Sequence, residues 1–527
     1  MKSYRRARLL PAAMLAVLAL ALAACGSAGS SGSPENAIDG LGRSVELAEN
    51  FNSDAHFTYV GSYPPSSFDP NTSASGLDQT YLAPIYDRLL YNSPKGELEP
   101  MLAERFEVEG STIVLTLRPD LTFTDGAPFD SHAVKTNLDR YMADGSTLRP
   151  EVAHITAVSA REPLVVEIQT DGSVGATLAT LSARAGMMVS PKAIEAGDVE
   201  TNPAGIGPYT ATRVTPGQGV QLTKTDNYWE PSVQRVATME LKGVGENQTR
   251  QNALASGETL AAEVEVPTID ALGDAAEFVV GPTPLVYFFA VNTAEPAFKD
   301  PRVLEAINLA IDRSRIAQGL FEGACEPQVQ LWPSNSFAYN KDIGAGLDRL
   351  PYDPDRARDL LEEAGFADAP SGFDTVHTNN TTSTQLGEVL QSQLAEVGVS
   401  VNPAPVPSGG IVENFGISKS MPATLSGYTG APDPDAFIQR NLTLESVYNP
   451  GGWESEQVTR LSVDGAKATD QDSRAEIYHE LAETLLDEPS HVVPICAMKR
   501  VVGFDPSVSN LHSGGDYQDL RGVAVAE

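Results

Sequence analysis

The chain has 527 residues, 41% of them hydrophobic, with 70 acidic against 36 basic residues and a formal charge of −34 at pH 7. That composition is globular, and the length allows two or three domains. So acidic a balance excludes an electrostatic nucleic-acid surface and broad adhesion to anionic membranes, both of which need clustered Lys and Arg; it fits a solvated surface that keeps the protein soluble.

Residues 1–24 read as a secretory leader. Lys2, Arg5, Arg6 and Arg8 precede an apolar run from Leu9 to Ala24, broken only by Pro11. The run is shorter than the roughly 20 residues a spanning helix needs, so it is set aside from fold reasoning. It ends in Leu22-Ala23-Ala24-Cys25-Gly26, which resembles a bacterial lipobox, with Cys25 as the residue that would take a diacylglyceryl group. Two acyl chains anchor stably where one would not. Residues 25–50 then form the lipidated Cys and a tether, flexible where Gly, Ser and Ala dominate. Loss of the leader removes its four basic residues and leaves a charge of −38. It also leaves two cysteines, Cys325 and Cys496, which either pair, as thiols do in an oxidising compartment, or are separate buried thiols.

Further along, α and β signals alternate. Phe57 to Tyr63 is strand-like, and Ser111 to Arg118 alternates as a strand does. Asp125-Gly126 is a turn, and Ser131 is placed to cap a helix through Val134, Leu138 and Tyr141. From Pro301, residues Val303, Ala306, Ile307, Ala310 and Ile311 share a helical face. Asp353-Pro354 opens a helix that Gly365 ends. A strand near Asp374 to Thr378, a helix with Leu386, Leu390, Leu394 and Val397, and a strand at Val399 to Val406 form a βαβ unit. Ile477, Leu481 and Leu485 mark a last helix. The fold class is α/β, mixed α+β, in several lobes.

Catalytic and cofactor patterns are missing. His479-Glu480-Leu481-Ala482-Glu483 lacks the second His of a zinc-protease helix, and Gly243-Val244-Gly245 does not continue as a dinucleotide fingerprint. There is no Gly-x-Ser-x-Gly elbow, and the seven His have no metal-ligand spacing. Neither a metal nor a cofactor is expected, and an extracellular hydrolase is the less favoured alternative.

Several segments resemble the family 5 extracellular solute-binding proteins, the oligopeptide and dipeptide receptors of ABC importers. They are Ser67-Phe68-Asp69-Pro70, Tyr86-Asp87-Arg88-Leu89, Pro100 to Phe106, Phe123-Thr124-Asp125-Gly126-Ala127-Pro128, Gly205-Ile206-Gly207-Pro208-Tyr209, Asn227-Tyr228-Trp229, Phe298 to Val303, Ala310-Ile311-Asp312-Arg313, and Tyr352-Asp353-Pro354 with Leu360 to Gly365. Each is weak alone; in order, over about 300 residues, they are specific.

The resemblance implies a two-lobed periplasmic-binding-protein-like fold (type II, cluster C-like), with an extra small domain and ligand held between lobes that close by a hinge. Lobe I would take 51–75, 208–286 and 490–527; the small domain, 76–207; lobe II, 287–489. The family holds a peptide largely through backbone groups, and pairs the ligand's α-amino group with an Asp. That Asp position falls on Gly430, so Asp433 or Asp435 would have to replace it, or the ligand is a blocked peptide, a sugar or another small molecule. Other expected contacts are the backbone of Gly61, Ser62 and Tyr63, then Phe289, Trp332, Tyr428, Arg440 and Trp453. The implied role is a monomeric receptor, lipid-anchored on the extracytoplasmic face of the cell membrane, that passes peptide-like solutes to ABC permease subunits.

Overall fold

The computed structural model describes residues 37–527 except 39, 94–96, 367–371, 408–409, 429–432 and 516. The leader, the lipidation candidate Cys25 and Gly430 lie outside the described residues.

An 11-stranded mixed sheet runs through the molecule. Its order is Val401–Val406, Phe373–Thr378, Ala423–Tyr428, Glu277–Val291, Val492–Phe504, Ala261–Val264, His56–Gly61, Thr238–Gly243, Gly219–Lys224 and Tyr209–Thr215, with Cys325–Pro327 paired to Val492–Phe504 off this path. The long strands Glu277–Val291 and Val492–Phe504 run through both halves. The half beginning with His56–Gly61 buries Phe57, Tyr59, Leu222, Met239 and Leu241. In the other half, successive side chains of one strand point to opposite faces. Tyr287, Phe289 and Val291 enter one core, and Phe288 and Ala290 enter the other.

A separate antiparallel sheet orders Ala103–Glu109, Thr112–Leu117, Val165–Thr170 and Ile155–Glu162. Alternation puts Ile113, Leu115 and Leu117 inside, where they meet Val134, Leu138 and Tyr141 of the helix Ser131–Met142. That helix is capped by Asp130, whose carboxylate accepts from Ala133 N at 3.0 Å. Ser131, the expected cap, is instead the first helical residue, because the helix starts one residue earlier than the Ser signal suggests.

The other local expectations agree. Phe373–Thr378 and Val401–Val406 are parallel, joined by the helix Thr381–Glu396 that buries Leu386, Leu390 and Leu394. Asp353 caps Pro354–Glu363, and Gly365 follows at φ 71°. The strand expected over 57–63 stops at Gly61. No helix among the described residues is long and apolar enough to cross a membrane.

Candidate ligand-binding cleft

The two halves of the large sheet meet at a break in register. Residues 277–282 of one crossing strand pair with 499–504 of the other, and 286–290 pair with 492–497, with register shifts between Pro282 and Val286 and again between Tyr287 and Phe288. Pro282 and Pro284 lack the N–H a ladder needs, so the sequence Gly281-Pro282-Thr283-Pro284-Leu285 interrupts pairing where the lobes join. Thr283 Oγ1 compensates in part by donating to Met498 O at 2.9 Å. Next to the break, Cys325 and Cys496 form a disulfide with a Cα–Cα distance of 5.5 Å. It ties the short strand Cys325–Pro327 to the returning strand on the second-lobe side.

The first-lobe wall is the end of His56–Gly61. A Cβ at Gly61 would lie 2.7 Å from the Tyr81 hydroxyl, which would have to shift. That hydroxyl donates to Tyr63 O at 2.6 Å, and Val244 N donates to Gly61 O at 2.9 Å. The carbonyls of Gly61 and Tyr63, part of the backbone expected to meet a ligand, thus already have partners within the fold. The Ser62 Oγ is buried without a partner among the described residues. The Tyr63 side chain is 42% exposed, yet burial is the largest influence on its hydroxyl and, with Glu263, raises its pKa.

On the second-lobe side, the candidate wall is the end of Ala423–Tyr428 and the helix Pro434–Asn441. Tyr428 is buried against Phe437, with ring centroids 5.1 Å apart. Asp433 is the N-cap of the helix Pro434–Asn441 and forms a bidentate pair with Arg474, at 2.7 and 2.8 Å. Asp435 accepts from His154 Nε2 at 2.8 Å. Neither carboxylate is left for a ligand ammonium group, which corrects the expectation for Asp433. Arg440, on the same helix, is exposed. Burial is the largest influence on it and opposes its charge; Tyr448, then Tyr428 and Glu151, outweigh this and raise its pKa.

Three expected contacts belong to the packing instead. Phe289 is 0% exposed, since its place in the strand alternation points it into the second-lobe core. Trp332 is 3% exposed and packs 5.8 Å from Tyr478, because its loop folds over the helix Gln471–Asp487. Trp453 is partly buried with its ring 5.9 Å from His491, and its backbone N donates to Asn449 Oδ1.

The small domain closes over this wall. His154 bridges Asp435 and Asp171, 2.8 and 3.0 Å away. Burial opposes its charge, but the hydrogen bonds and charges of Asp435 and Asp171 prevail and hold its pKa at about 9. Nearby, Arg184 Nη2 donates to Glu151 Oε1 at 2.6 Å. A Cβ on Gly175, in the small-domain helix Val174–Leu181, would lie 2.0 Å from Ala468 O of the second lobe. The two domains are in backbone contact, and the cleft is shut on this side. Sequence reasoning missed His154, Glu151 and Gly175. Their partners lie far away in the chain: 281 residues separate His154 from Asp435.

Among the described residues no group of three or more His, Cys, Asp or Glu is arranged to hold a metal ion. No His there hydrogen-bonds a Ser hydroxyl: the rings of His377, His479 and His491 meet backbone carbonyls, and His56 meets Thr238.

Residues 97–449 match the sequence profile of the bacterial extracellular solute-binding proteins, family 5 Middle. The glutathione-binding protein GsiB of Salmonella paratyphi A is 28% identical over 458 residues, covering 83% of this chain and 88% of that protein. GsiB of Escherichia coli K12 is 27% identical over the same coverage. Among solved structures, DppA of Helicobacter pylori in complex with the peptide STSA superposes with TM-score 0.78 at 22% identity, covering 91% of this chain and 99% of that one. AgaA of A. tumefaciens R10 in complex with agropinic acid gives 0.78 at 20%, covering 90% and 99%. NikZ of Campylobacter jejuni with Ni(L-His) gives 0.73 at 18%, covering 87% and 96%. Both the two-lobed architecture and the mixed α/β sheet are common to these structures and this chain.

Proposed function

The chain belongs to the bacterial extracellular solute-binding proteins of family 5, and from that premise we propose that it captures a peptide-like solute by closing its cleft and delivers it to ABC permease subunits. The observation that carries this reading is the register break between the two long crossing strands, from Pro282 to Val286, where the two halves of the sheet meet, with exposed Tyr63 on one side of it and exposed Arg440 on the other. A cleft that surrounds its ligand, closing about a hinge, suits capture and release.

In this reading lobe I takes 51–75, 208–286 and 490–527, the small domain 76–207, and lobe II 287–489. Cys25 carries the lipid, the leader 1–24 is removed, and the monomer is held at the extracytoplasmic face of the cell membrane. The relatives named for glutathione and the neighbours holding a tetrapeptide, an agropinic acid or a nickel–histidine complex support a small ligand of peptide or amino-acid chemistry. A second reading, a ligand without a free α-amino group, is favoured by the pairing of Asp433 with Arg474 and of Asp435 with His154.

A thermal-shift screen against peptide pools of two to eight residues, with sugar and metal-chelate sets alongside, tests both. Ligand at ~100 times its dissociation constant adds about 2.7 kcal/mol to a protein that binds it only when folded. Silence with every set would overturn the capture role. A rise only with a non-peptide set would keep that role and overturn the peptide.

A further inference from the structure

We propose that the segment from Ile38 to Val45, the last part of the tether, is a brace seated on the hinge strands that holds the cleft towards its closed form. This rests on the cleft-closure reading above. The segment is bound to the fold. Ile38 is 5% exposed and shares a buried cluster with Val264, Val266, Val280 and Val501, and Leu41 packs against that cluster. Gly42 O accepts from Val280 N at 2.9 Å, and Arg43 O accepts from Ser513 N at 2.7 Å. Ser44 and Val45 then pair with His512 and Leu511.

These contacts fall at the register break. Val280 and Val501 pair with each other on the two crossing strands, next to the point where pairing is lost at Pro282. Ser513 Oγ donates to Arg500 O at 2.7 Å, and Gly515 N donates to Pro282 O at 2.9 Å. The C-terminal segment thus links the brace to the break itself. The cluster that holds Ile38 also includes Ala324. Ala324 N donates to Phe321 O at 2.8 Å, and Phe321 belongs to the second-lobe core, its ring 5.7 Å from that of Tyr287. One apolar cluster therefore joins the brace to residues on both sides of the break, in a molecule whose small domain and second lobe are in contact. A segment that touches both sides of a hinge in one arrangement favours that arrangement over those in which the contacts part. Apparent affinity then rises with the population of the closed form. Where Cys25 carries the lipid, only twelve residues lie between the anchor and Ile38, so attachment to the membrane leads directly into the hinge.

The test uses the mature protein in detergent, with spin labels at Arg213→Cys and Arg460→Cys, exposed positions on the two sides of the cleft. Wild type, Ile38→Ser and Ile38→Val are compared. In the absence of ligand, Ile38→Ser should lengthen the distance between labels, and Ile38→Val should leave it unchanged. Binding of a tripeptide pool should weaken about fivefold or more in Ile38→Ser alone. An unchanged distance in Ile38→Ser overturns the brace even where the melting midpoint falls, because Ile38 then serves only the packing of the fold. The distance needs no ligand: if no tripeptide binds any form, peptide capture fails while the label distances still decide the brace. Should Ile38→Ser not fold, Leu41→Ser, at the edge of the same cluster, decides by the same distance.

Discussion

His154 and Asp435 join the small domain to the second lobe, with Nε2 2.8 Å from the carboxylate. His154 also bonds Asp171, which follows the neighbouring strand Val165–Thr170, 3.0 Å away; if opening the cleft separates the small domain from lobe II, the Asp435 contact is the one lost. The closed-state pKa of about 9 lies above the ordinary 6.5. A raised pKa means that the contribution is complete below about 6.5 and is lost as pH rises through about 9. The distance between spin labels on the small domain and lobe II, in the ligand-bound protein, should therefore lengthen between pH 7 and 10. His154→Ala should be partly open at pH 7 and show little further change. A wild-type distance that stays constant to pH 10 would remove His154 as a latch.

Gly175 and Ala468 make the second contact of this closed face, and there the constraint is steric. A methyl group 2.0 Å from the Ala468 carbonyl cannot be accommodated without moving one backbone away from the other. Overpacking of this kind costs about 1–3 kcal/mol. Gly175→Ala should weaken ligand binding by roughly five- to 150-fold while the ligand-free protein, free to open, keeps its melting midpoint. Calorimetry with and without ligand separates the two effects. A lowered midpoint in the ligand-free protein would mean that the contact is part of the resting fold.

Much of the fold was legible because its signals are local. Leu386, Leu390 and Leu394 recur at helical spacing, the flanking strands alternate, and together they give the parallel pair Phe373–Thr378 and Val401–Val406. Asp130 and Ser131 are both good caps, and only the backbone decides between them. The cleft was legible in part. Tyr63 and Arg440 could be suspected from position, whereas Trp332 looks like a binding aromatic in a Pro- and Asn-rich loop until that loop is seen to pack on Tyr478. The contact of His154 with Asp435 depends on how two distant segments dock, and no periodicity encodes that.

Asp433 and Arg474 offer a test of structural against ligand-binding roles. Both side chains are buried, and Arg474 also donates to Gly465 O and Tyr478. Removing one partner leaves the other charged and desolvated, which costs about 3–5 kcal/mol. Asp433→Ala should lower the denaturant midpoint accordingly, while the molecules that remain folded bind ligand with unchanged affinity. An affinity loss without a stability loss would return Asp433 to the binding site.

The disulfide adds a prediction about the hinge. Cys325 and Cys496 are 171 residues apart in sequence, so reduction frees a long loop in the unfolded chain, and native disulfides of this kind contribute about 2–5 kcal/mol. The bond sits where Cys325–Pro327 pairs with the returning strand, within a few residues of the register break at Pro282 to Val286. It therefore adds a covalent tie on the second-lobe side of that break. Replacing both cysteines with Ala should lower the unfolding midpoint, and reductant should then have no further effect. Ligand affinity should change little, because the cleft walls at Tyr63 and Arg440 are carried by other segments. A tenfold or larger loss of affinity in the folded double variant would instead show that the disulfide holds the hinge in its binding geometry.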